Sequence, residues 1–156
     1  MSGNSRDLEK RFAREVEGLW LTAPTTPFEE LVNALRQIRK KYLAEPNGNA
    51  KTSLEIERRI SEYALEFALS HGRQLSVCRR KFNECASLGF TDSFREAHFR
   101  LLYAESIAKR GHGRAALTMI HETVALLNLS SKGKKPIKAQ EQHYRKWADR
   151  IACSLE

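Results

Sequence analysis

Apolar residues recur along this chain three and four positions apart, and almost never alternate two by two. Phe28, Leu31, Val32, Leu35, Ile38 and Tyr42 form one such series. Leu54, Ile60, Tyr63, Ala64 and Phe67 form a second, and Leu75, Cys78, Phe82, Cys85 and Ala86 a third. Phe94, Phe99, Leu102, Tyr103 and Ile107 continue the pattern, followed by Leu117, Ile120, Val124 and Leu127, then Ile137, Tyr144, Trp147, Ile151 and Leu155. This spacing places each set on one side of an α-helix, and no stretch keeps a period of two long enough for a strand. The punctuation agrees. Thr26-Pro27-Phe28-Glu29, Thr52-Ser53-Leu54-Glu55 and Ser93-Phe94-Arg95-Glu96 each read as a capping box, in which the hydroxyl and the Glu satisfy orphan backbone N–H groups. Gly72, Gly89 and Gly111 stand where helices should stop. Pro46-Asn47-Gly48-Asn49 and Ser130 to Pro136 are loops by composition. The pattern predicts seven helices, near 5–22, 27–44, 53–71, 74–88, 93–110, 113–129 and 136–154.

Helices of this length on short turns lie antiparallel to their neighbours. The seven then group as three hairpins, near 5–44, 53–88 and 93–129, and a closing amphipathic helix at 136–154 that covers the last apolar face. With 156 residues the expectation is one all-helical domain with a sizeable core. Tyr63-Ala64-Leu65-Glu66-Phe67-Ala68 is echoed forty positions later by Tyr103-Ala104-Glu105-Ser106-Ile107-Ala108, and a Gly soon follows each copy.

The stretch Ser106 to Leu117 resembles the junction between the two helices of a tetratricopeptide repeat. Ala104 and Ala116 match the small residues that let the two helices approach closely, and Gly111 matches the residue that ends the first helix. Arg100, Thr123 and Asn128 stand where that family has an aromatic residue, a small residue and a Pro. The resemblance implies a stack of helical hairpins; an irregular helical bundle is the alternative architecture. It also implies a groove lined by the first helix of each pair, which Arg58, Glu62, His98, Glu105 and Lys109 would face or border. Leu101 and Glu105 occupy positions where the family places a carboxylate-clamping Lys and Asn, so capture of a chain terminus is not implied.

Charge adds a second possibility. The formal net charge is +8, and it is uneven. Residues 1–78 hold 12 Lys and Arg against 11 Asp and Glu, whereas residues 79–156 hold 15 against 8. Basic clusters occur at Arg79-Arg80-Lys81, at Lys109, Arg110 and Arg114, and at Lys132, Lys134, Lys135 and Lys138. Arg110, Arg114 and the four loop lysines read first as solvated faces, and are otherwise candidate contacts for an acidic protein or for nucleic-acid phosphates. No aromatic residue is interleaved with the loop lysines, so a base-stacking platform is not indicated.

Signatures of catalysis are missing from the sequence. It contains no His-Glu-x-x-His, no paired Glu-x-x-His, no phosphate-cradling Gly-rich loop and no Gly-x-Ser-x-Gly elbow. The five histidines are scattered, so neither a metal nor another cofactor is expected. Cys78 and Cys85 lie two turns apart on one predicted helix, about 10 Å by rise, too far for a disulfide. They read as small buried hydrophobes, and the cysteine usage suggests a reducing, cytoplasmic setting. Trp20 is either docked on the core or an anchor for a partner. No apolar run reaches the roughly 20 residues of a membrane span, and the polar Met1–Lys10 stretch does not read as a secretory signal. The sequence therefore predicts a non-enzymatic module that binds a peptide or helix. A small basic nucleic-acid-binding protein is the alternative.

Overall fold

A computed structural model of the chain describes residues 2–45, 49–130 and 135–155. Among the described residues there are seven α-helices and no strand: α1 (Ser2–Thr22), α2 (Phe28–Leu43), α3 (Ala50–Ser70), α4 (Leu75–Leu88), α5 (Ser93–Lys109), α6 (Gly113–Ser130) and α7 (Lys135–Ser154). A single 3₁₀ turn, Ala23–Thr25, joins α1 to α2. The helices are distributed over two compact units, Met1–Gly89 and Phe90–Glu156.

In the first unit each helix packs on the next, and α3 also reaches α1. The reason is visible in α3 itself. Ile56, Glu62, Ala64, Leu65, Phe67 and Ala68 are all buried, so α3 is enclosed on more than one side. One core joins Leu8, Phe12 and Val16 of α1 to Tyr42 of α2 and Ile56 of α3, with the Phe12 and Tyr42 rings edge to face at 5.6 Å. The other joins Ala23, Leu31 and Leu35 to Ala64 and Phe67. In the second unit α5 packs along α6, and α7 lies against both. Ala104 and Ala116 are fully buried, as the close helix approach requires. Phe99, Leu101, Tyr103, Ile107, Ile120, Leu127, Ala148 and Ile151 are buried with them.

The sequence echo corresponds to a shared turn. Gly72 and Gly111 have φ of 60° and 90°. At the first, Arg73 N–H donates to the Ala68 carbonyl and Gly72 N–H to that of Leu69; at the second, His112 donates to Ile107 and Gly111 to Ala108. Both are the Schellman ending, whose left-handed residue a side chain would strain.

The helix starts differ from the expected capping boxes. Asn49, not Thr52, caps α3, its Oδ1 accepting from Thr52 N–H at 2.8 Å. Asp92, not Ser93, caps α5, accepting from Arg95 N–H at 2.8 Å. In both cases an Asx residue stands upstream of the expected cap, where the helix begins, and its side-chain oxygen reaches the N–H three positions on. Pro27 precedes α2, and the Thr26 hydroxyl turns back to donate to the Thr22 carbonyl at 2.7 Å. Freed from capping, Glu96 pairs with Arg100 at 2.9 Å.

Candidate functional site

A groove lies in the first unit, where the exposed face of α4 runs beside α3. This groove, about 880 Å³, has Ile60 and Ala64 of α3 and Leu88 of α4 as its apolar lining. Its polar lining comes from Arg39 of α2, Glu57 and Ser61 of α3, and Ser76, Arg79, Arg80, Lys81, Asn83, Glu84 and Ser87 of α4. Helical periodicity explains the arrangement. Cys78, Phe82 and Cys85 take the buried side of α4, which leaves Ser76, Arg79, Arg80, Asn83 and Ser87 for the other.

The charges in the groove are partly committed. Arg39 Nη2 lies 2.5 Å from Glu57 Oε1, and Lys81 Nζ lies 3.5 Å from Glu84 Oε2. Among the described residues, Arg79 and Arg80 make no ion pair and are exposed. Beneath the groove, burial pushes the Cys85 thiol up to about 12, and the nearby charge of Glu62 adds to the shift. Cys85 is therefore a packed thiol, not a nucleophile at neutral pH.

The five residues expected along a single groove serve different purposes. Arg58 is half-buried, and its Nε donates to the Leu88 carbonyl at 3.2 Å, which ties the C-terminus of α4 to α3. Glu62 is fully buried. In the second unit, His98 is half-buried within an aromatic cluster: its ring centroid is 5.5 Å from that of Trp147, 6.1 Å from Tyr144 and 5.2 Å from Phe99. Glu105 accepts from Trp147 Nε1 at 2.9 Å and pairs with Lys109 at 3.5 Å. Glu105 and Lys109 line a shallow hollow of about 430 Å³ together with Trp147, Arg150, Ile151 and Leu155. These contacts hold α7 on α5.

Of the candidate acidic-partner contacts, Arg110 is half-buried and Arg114 exposed at the α5–α6 turn. Lys132 and Lys134 lie outside the described residues, and Lys135 and Lys138 are described by backbone alone, in the first turn of α7. Trp20 is 47% exposed, with Nε1 donating to Glu66 at 3.3 Å. It lines a further hollow of about 610 Å³ with Leu21, Pro24 and His71.

No groove residue of α2 or α3 is a candidate contact in the sequence, where Ile60 and Ala64 read only as part of an apolar stripe. Only the run Arg79-Arg80-Lys81 carried a signal, and its neighbours Ser76, Asn83 and Ser87 are ordinary polar residues in any linear reading. Comparison with known protein families, curated proteins and solved structures finds no match.

Proposed function

We propose that this chain is a non-enzymatic interaction module that receives a peptide or helix from another protein in the groove beside α3 and α4. The observation that carries this reading is the open groove itself, with an apolar lining, polar walls and a volume in the range of ligand-accepting clefts. Its walls belong to helices anchored by buried Phe67, Cys78 and Phe82, so the shape is preorganised. Both groove carboxylates, Glu57 and Glu84, are held by cations, which suits a charge-lined surface better than acid–base chemistry.

A photo-cross-linking side chain placed at exposed Ser76, in cells of the native host, tests the reading. It should yield a discrete protein adduct that disappears when Ser87→Trp fills the groove. The same cross-linker at exposed Glu17 of α1 should yield no such adduct. Equal adducts from both positions, insensitive to Ser87→Trp, would overturn it.

A second reading, phosphate binding, has the excess of 15 Lys and Arg over 8 Asp and Glu in residues 79–156 behind it. Phosphate-driven binding weakens steeply with salt because condensed counterions are released, whereas binding through apolar anchors changes little. A salt series on whatever partner is captured separates the two.

A further inference from the structure

Resting on the reading of the α3–α4 groove as a protein-docking site, we infer that its occupant is an acidic amphipathic segment of about three helical turns. The lining holds four cationic and two anionic side chains. The pairs Arg39–Glu57 and Lys81–Glu84 cancel, so the unmatched charge is that of Arg79 and Arg80. Two adjacent guanidinium groups on the wall of an apolar cleft match carboxylates, which they can grip with paired N–H donors. From Ser76 to Ser87 the α4 wall spans 12 residues, about 16 Å by helical rise, or about three turns of a partner helix. Ile60 and Leu88 offer an apolar lining for a large side chain on the partner's inner face.

Nucleic acid fits this groove less well. None of the lining residues is aromatic, so bases have no stacking platform. Phosphate-driven binding draws on many cations, whereas the unmatched charge here is only that of two arginines.

Selection from a display library of random 16-residue peptides on the full chain tests the inference, with a random single-stranded DNA pool run in parallel. Two variants at exposed positions, R79E/R80E and Ser87→Trp, serve as counter-targets, with circular dichroism checking that each keeps the wild-type helix content. Peptides retained by the wild type and lost on Ser87→Trp should be net acidic and carry at least one large apolar residue. Their affinity should fall roughly tenfold on R79E/R80E, as two rim pairs become repulsive. Groove-dependent peptides that are neutral or basic would overturn the acidic occupant and leave the groove reading standing. Peptides that ignore Ser87→Trp, or no enrichment at all, would overturn both. DNA retained by the wild type and lost on both variants, with no groove-dependent peptide, would make the groove a nucleic-acid site and overturn both.

Discussion

At the scale of single residues, burial decides what each polar or reactive group can do. Cys78 and Cys85 are 0% and 1% exposed, while Cys153 stands in solvent. Because burial and the charge of Glu62 hold the Cys85 thiol near 12, almost none of it is thiolate at mildly alkaline pH. Alkylation of the native protein with iodoacetamide should modify Cys153 alone, with Cys78 and Cys85 reacting only after denaturation. Peptide mass mapping reads this, and rapid native labelling of Cys85 would contradict its placement. Gly18 illustrates the opposite case, a residue whose surroundings ask nothing of it. It lies inside α1, is exposed, and a Cβ built there meets nothing within 4 Å. Gly18→Ala should raise stability by about 0.5–1 kcal/mol, since the unfolded chain loses freedom and the helix gains a better former. A thermal melt that moves downward instead would mean that α1 is not helical at that point.

At the scale of elements, the hairpin of α5 and α6 rests on two alanines. Ala104 and Ala116 are both fully buried where these helices lie along one another. Replacing either with Leu adds volume that a close-packed seam cannot absorb, and should cost about 1–3 kcal/mol. Gln140→Leu, at an exposed position on α7, should leave the urea midpoint nearly unchanged. The aromatic cluster of Phe94, His98, Tyr144 and Trp147 then fixes α7 on α5. The expected covering helix is therefore present, and its Trp147 spends its N–H on Glu105. That use of Glu105 illustrates a general point. A charged residue predicted to face a partner also serves a neighbouring element of its own chain.

For the molecule as a whole, the buried Tyr42 of the first unit and the half-buried Tyr144 of the second couple stability to alkaline pH. Burial raises the Tyr42 phenol to about 12, helped by its bond to the Glu15 carboxylate; burial also raises Tyr144, with the charge of Asp92 adding to it. In each case the folded state holds its proton more tightly than the unfolded chain, whose phenols ionise near 10. The stabilisation is thus fully present below about pH 10 and is lost as pH rises through the folded value, about 12 for Tyr42. Urea midpoints should fall across that interval, and Tyr42→Phe should flatten the part of the fall that belongs to the first unit. A midpoint independent of pH over the same range would argue that the Tyr42 phenol is not buried.

What the sequence determined by itself was local. The 3.6-residue spacing of apolar positions, the glycines at 72 and 111 and the polar loops set seven helices whose ends agree with the structure within about three residues. Helix formation and termination depend on groups a few positions apart, so a linear reading contains them. It placed the caps wrongly where an Asx residue stood just upstream, at Asn49 and Asp92. It also placed Leu54 in an apolar stripe, although that side chain is 38% exposed. Tertiary structure decided what the charges do. Arg58 binds the Leu88 carbonyl thirty residues away, and Glu62 is fully enclosed. The groove joins Arg39, Ile60 and Ser87, which no periodicity connects. Such a surface exists only once three helices have packed, because its shape and net charge come from residues brought together by burial elsewhere.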